Sequence, residues 1–68
     1  MNLRKHAPDY YRIGEGYYFG QIIKDGRQWN AEIRRSHDGA LMRYAGIWTT
    51  RKEAVEECEF LLSQPVWN

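Results

Sequence analysis

From Gln28 to Arg34 apolar and polar residues alternate without a break, and this alternation constrains the fold more than any other feature of the chain. Trp29, Ala31 and Ile33 fall on one side, and Gln28, Asn30, Glu32 and Arg34 on the other. A period of two marks a strand with one buried face, so the chain must build a sheet and cover one side of it. The cover lies further along. Ala54, Val55, Cys58, Leu61 and Leu62 recur at helical spacing and form an apolar stripe that a sheet can receive. Ahead of it, Thr50-Arg51-Lys52-Glu53 matches a capping box, in which the threonine hydroxyl accepts from the N3 amide and the glutamate reaches back to the cap. Pro65 predicts an end to the helix near Ser63 or Gln64.

Two further segments carry strand signals. Tyr17 to Ile23 is rich in β-formers and is followed by the hairpin signal Asp25-Gly26. After a turn at Ser36-His37-Asp38-Gly39, Ala40 to Thr49 reads as another strand, interrupted or bulged at Gly46. The expected fold is therefore α+β, a three-stranded antiparallel sheet packed against one C-terminal helix, spanning residues 17–64. Residues 1–16, broken by Pro8, Gly14 and Gly16, read as a flexible basic N-terminal arm, and 65–68 as a C-terminal tail. Phe60 and Trp67 lie off the stripe. Packing on each other or on the sheet edge is the plainer expectation for them, and a dimer or partner contact the sharper one.

A chain of 68 residues with one cysteine has no intrachain disulfide, and no Cys/His spacing here suits a structural zinc. Three Trp, five Tyr and two Phe must supply the bulk of the core instead. No apolar run reaches membrane-spanning length, and the polar N-terminus has no secretory core segment. With the lone thiol, this predicts a cytoplasmic protein without a membrane partner. The charge is unevenly placed: all ten Lys and Arg fall within residues 1–52 beside five acids, whereas 53–68 holds four glutamates and no base. That split fits a basic working surface with an acidic back, or the solvation of two surfaces. Catalysis is not expected. His6 and His37 stand in the arm and in a turn without the neighbours that acid–base chemistry needs, and Cys58 lies on the inner helix stripe. No metal-ligand spacing or phosphate-binding glycine loop occurs, so neither a metal nor a cofactor is expected.

The order β-β-β-α brings in a resemblance. Trp29-Asn30-Ala31-Glu32-Ile33-Arg34, then Gly46-Ile47-Trp48-Thr49-Thr50-Arg51-Lys52-Glu53-Ala54, resembles the AP2/ERF DNA-binding domain. That family carries an aromatic-x-Ala-Glu-Ile-Arg strand and a Gly-x-aromatic-x-Thr-x-x-x-Ala start to its helix. Tyr18-x-Gly20 falls where the family has Tyr-Arg-Gly, and the N-terminal arm-binding domains of tyrosine recombinases share the architecture. The resemblance covers about Tyr18 to Leu62. It implies that the sheet face away from the helix enters the major groove of DNA, with Glu32 and Arg34 at contact positions on the middle strand. Lys24 then falls where an arginine ends the first strand, and Tyr44 replaces a tryptophan on the third. Family arginines correspond to Phe19, Ile22 and Met42, which removes charge-assisted contacts, so the plant-type target is not implied.

The phase of the last strand has two readings. Alternation back from a buried Trp48 places Tyr44 and Met42 inside and Arg43 outside. The resemblance places 42 and 44 outside, with Gly46 switching the phase. A bulge reconciles them and is the arrangement expected, with Arg43 kept as a candidate contact.

Two functions follow. The first is binding of double-stranded DNA, as in a phage, plasmid or mobile-element accessory or regulatory protein. Lys24, Arg27, Asn30, Glu32, Arg34, Arg43 and Tyr44 lie on the reading face, and Arg4, Lys5 and Arg12 of the arm contact phosphates. Taken alone, the arm reads rather as a solvated, disordered terminus. The second is a protein-interaction module, docking on a larger partner or forming a homodimer through the same face or through Phe60 and Trp67.

Overall fold

Residues 10–13 repeat in miniature the alternation seen in 28–34: Tyr11 and Ile13 are buried, Tyr10 and Arg12 only half-buried. The computed structural model, which describes residues 2–67, turns this short segment into a strand. The strands are β1 (Leu3–Ala7), β2 (Tyr10–Ile13), β3 (Tyr18–Asp25), β4 (Gln28–Arg35) and β5 (Leu41–Trp48), followed by the helix α1 (Arg51–Leu62) and a short 3₁₀ turn, Pro65–Trp67. They form one antiparallel sheet in sequence order, β1-β2-β3-β4-β5. The α+β class and the single covering helix agree with the sequence reading. The strand count does not: the sheet has five strands rather than three, the two extra ones drawn from the segment read as an arm. Pro8, taken as a breaker, lies with Asp9 in the turn that joins the two strands, where its fixed φ suits the first central position.

Turn chemistry sets the rest of the meander. Gly26 at φ +64° and Arg27 at negative φ make the two-residue connection between β3 and β4, a backbone whose twist matches the strands. Asp38 clips the next loop. It accepts from Arg35 Nε at 3.0 Å and Nη2 at 2.6 Å, and from the Ala40 amide at 3.1 Å. Gly39 supplies the positive φ there, +73°.

The helix packs across the middle of the sheet. Ala54, Cys58, Leu61 and Leu62 meet Tyr11, Ile13, Ile22, Ala31, Ile33 and Ala45 in one cluster, with Trp29, Trp48 and Val55 half-buried at its margin. The closest approach is at Gly20, where an added Cβ would lie 2.7 Å from Cys58 Cβ and 2.8 Å from Ile13 Cγ2. Burial, reinforced by Glu57 and Glu59, pushes the Cys58 thiol up to about 12, so it is an inert small hydrophobe. Thr50 caps the helix, its Oγ1 accepting from the Glu53 amide at 3.2 Å, and Ser63 closes the other end. Trp67 packs edge-on against Tyr18 of the central strand β3, ring centroids 5.1 Å apart, rather than on Phe60 or on a sheet edge, and Phe60 stays exposed.

Candidate nucleic-acid interface

With α1 on one side, the other side of the sheet is open. Strand alternation assigns it Arg12, Phe19, Gln21, Ile23, Asn30, Glu32 and Arg34, each next to a residue that belongs to the core cluster or packs against it. Its phase on β5 is set by a bulge. Asn30 pairs with Ile47 and Glu32 with Tyr44, so Ala45 and Gly46 together face the single residue Ala31. Gly46 supplies φ +96°, and the Trp48 indole lies against it while Nε1 donates to the Ala45 carbonyl at 2.8 Å. The bulge buries Ala45 and Trp48 partly or wholly on the helix side while Tyr44 and Ile47 stay 72% and 63% exposed on the open side. The reading that switched phase at Gly46 therefore describes the strand. A second irregularity follows, since Arg43 pairs with Ile33 and Leu41 with Arg34, leaving Met42 unpaired between them.

The register draws one row across all five strands, Arg4–Arg12–Gln21–Glu32–Tyr44. Hydrogen bonds tie most of it together. Arg12 Nε donates to the Tyr10 hydroxyl at 2.6 Å, the hydroxyl donates to Gln21 Oε1 at 2.8 Å, and Gln21 Nε2 donates to Glu32 Oε1 at 3.0 Å. Arg34 completes the chain, donating to the same Glu32 oxygen from Nε at 3.3 Å and Nη2 at 3.1 Å, and to the Gly39 carbonyl from Nη1 at 2.7 Å. Of five guanidinium donors this leaves one on each terminal nitrogen. Phe19 is only 6% exposed although it is outside the core cluster, because the Arg12 guanidinium lies 4.6 Å over its ring.

The site residues expected from sequence divide accordingly. Asn30, Glu32, Arg34 and Tyr44 come together on the open face, joined by Arg4 and Arg12 as members of strands. Lys24 does not join them: it pairs with Trp29 and its ammonium lies 5.9 Å from that ring, on the helix side. Lys5 stands opposite Tyr11, a core residue, and is likewise on the helix side of the edge strand. Arg27 occupies the β3–β4 turn, and Arg43, though exposed, pairs with the buried Ile33 and so stands on the helix side of the edge strand rather than on the open face. Ile22, aligned by the resemblance with a contact position, is fully buried in the core. Reasoning from sequence passed over Tyr10 and Gln21, the two links of the network, although their alternation with Tyr11, Gly20 and Ile22 was there to read.

Between β4 and β5 the bulge floors a hollow of about 450 Å³ lined by Asn30, Ala31, Glu32, Tyr44, Gly46 and Ile47. Among the described residues no three His, Cys, Asp or Glu side chains gather to hold a metal ion, and no helix is long and apolar enough to cross a membrane. Comparison with protein-family models, curated proteins and solved structures finds no match to this chain.

Proposed function

We propose that the chain is a non-enzymatic DNA-binding domain that meets duplex DNA with the open face of its sheet, as in the AP2/ERF family it resembles. The observation that carries this reading is the cross-strand row from Arg4 to Tyr44 and its hydrogen-bonded links. Polar side chains of five neighbouring strands share one row on a face turned away from the acidic helix, and those of β2, β3 and β4 are linked by hydrogen bonds. A sheet fits the major groove, where Asn and Arg side chains distinguish base pairs by paired hydrogen bonds. Asn30 and the two outer donors of Arg34 have that capacity, while Tyr44 and Ile47 offer apolar contact for thymine methyl groups. Glu32 serves as the bracket for Arg34 and Gln21 and limits attraction to the backbone, which favours selective over indiscriminate binding.

Fluorescence anisotropy with a labelled mixed-sequence duplex tests the reading. Binding at low salt should weaken about tenfold or more in Arg34→Ala, as expected when a base-contacting arginine is lost. Unchanged affinity in a folded Arg34→Ala variant removes the sheet face from the account. A second reading has its own observation. The exposed Tyr44 and Ile47 beside the 450 Å³ hollow suit an apolar anchor from a protein partner. Absence of DNA binding at any salt would leave that reading in place.

A further inference from the structure

Two guanidinium groups stand opposite one another at the β1 side of the sheet. Arg4 pairs with Arg12 in the ladder, and like charges in that relation repel. No carboxylate neutralises them: among the described residues the ion pairs join Arg34 to Glu32, and Arg35 and His37 to Asp38. Both head groups are nevertheless held. Arg4 Nη2 donates to the Gly14 carbonyl at 3.2 Å, and Arg12 is fixed by its bond to Tyr10 at 2.6 Å and by the Phe19 ring beneath it. Each of these bonds uses one of the five N–H groups a guanidinium carries, so most donors stay uncommitted. Both arginines line a hollow of about 280 Å³, whose wall includes Glu15 and Ser36. The Ser36 hydroxyl donates to the Gly16 carbonyl at 2.7 Å and fixes that wall.

We propose that this hollow is a phosphate-binding site with Arg4 and Arg12 as its anchors. Planar guanidinium forks match phosphate oxygens, and a bound anion relieves the repulsion between the two cations. Head groups already tethered have less freedom to lose on binding. Glu15 opposes the anion and sets the limit on its affinity. As a contact to a DNA backbone the site rests on the function proposed above, where it fixes register while Asn30 and Arg34 face the bases. As a receptor for a free phosphate group it stands without that reading.

The test is NMR of the full ¹⁵N-labelled chain, following arginine Nε signals and the amides of Gly14 and Phe19. Inorganic phosphate is titrated at constant ionic strength, then a DNA duplex in a separate series. The site predicts saturable phosphate shifts at these groups, lost in Arg4→Gln and reached at lower phosphate in Glu15→Gln. With DNA, Arg4→Gln should reduce the slope of log K against log salt by about 0.9, the loss of one phosphate contact. Saturable phosphate shifts with no response to DNA keep the site, assign it to free phosphate groups and remove the DNA reading. DNA shifts on Asn30, Glu32 and Tyr44, with no phosphate response and an unchanged slope in Arg4→Gln, keep the DNA reading and overturn the phosphate site. Phosphate shifts that rise linearly and equally at Lys52 overturn it as well.

Discussion

Gly46 decides which way Tyr44 points. Its φ of +96° is open to glycine and strained for other residues, and an added Cβ would meet Trp48 Nε1 at 3.0 Å. Gly46→Ala should lower stability by roughly 1–2 kcal/mol, read as a lower midpoint in thermal unfolding. An unchanged midpoint would mean that the bulge relaxes without cost. Glu32 makes a second prediction. It holds Arg34 and Gln21, yet its charge opposes DNA phosphates. Glu32→Gln should tighten duplex binding about fivefold, the equivalent of about 1 kcal/mol for a unit charge near another in water. Weaker binding in that variant would show that its bracing of Arg34 outweighs its charge. The bulge was legible because a glycine interrupts an apolar strand ahead of Trp48. The Arg12–Tyr10–Gln21–Glu32 chain was not, because it depends on the register of strands distant in sequence.

Among the elements, β4 and α1 were readable from sequence because each carries a full amphipathic period and, for α1, a cap. The hairpin of β1 and β2 was hidden. Only Tyr11 and Ile13 on β2 enter the core cluster and every residue of β1 is exposed, so there is little periodicity to detect. As an edge, β1 is guarded by Arg4, Lys5 and His6 and by the irregularity between Lys5 and Ala7, while β5 carries two irregularities of its own. The helix start yields an acid-sensitive prediction. Glu53 accepts from the Thr49 and Thr50 hydroxyls at 2.8 and 2.9 Å, and these bonds, aided by the Thr50 amide, hold its carboxyl below the ordinary range. Asp38 is held well below that range too, first by Arg35 and then by the Ala40 amide. Groups with lowered values stabilise the fold fully above their unfolded values and lose that contribution as pH falls through the folded ones. Stability should therefore be level near neutral pH and fall as pH drops below the ordinary Glu value of 4.5. Thr50→Ala should cost about 1 kcal/mol near neutrality and flatten this acid limb, measured by urea unfolding across pH. An acid limb as steep as in the parent chain would assign it to other carboxylates.

For the whole molecule, charge and shape coincide. Eight bases and five acids lie before Thr50, in the sheet and its loops, whereas α1 and its flanks carry Glu53, Glu56, Glu57 and Glu59 beside Arg51 and Lys52. The uneven charge was visible in the sequence, but only the fold shows that it separates the sheet from its cover. With Arg4 and Arg12 as phosphate contacts, log K for duplex DNA should fall against log salt with a slope of about −2. Salt-insensitive binding would point to apolar contacts at Tyr44 and Ile47 instead. Chemical-shift mapping with a mixed-sequence duplex at low and physiological salt tests the central claim most directly. The account predicts shifts on Gln21, Asn30, Glu32, Arg34 and Tyr44 that fade as salt rises, with α1 silent. Shifts confined to α1 and Phe60, or none at low salt, would contradict it.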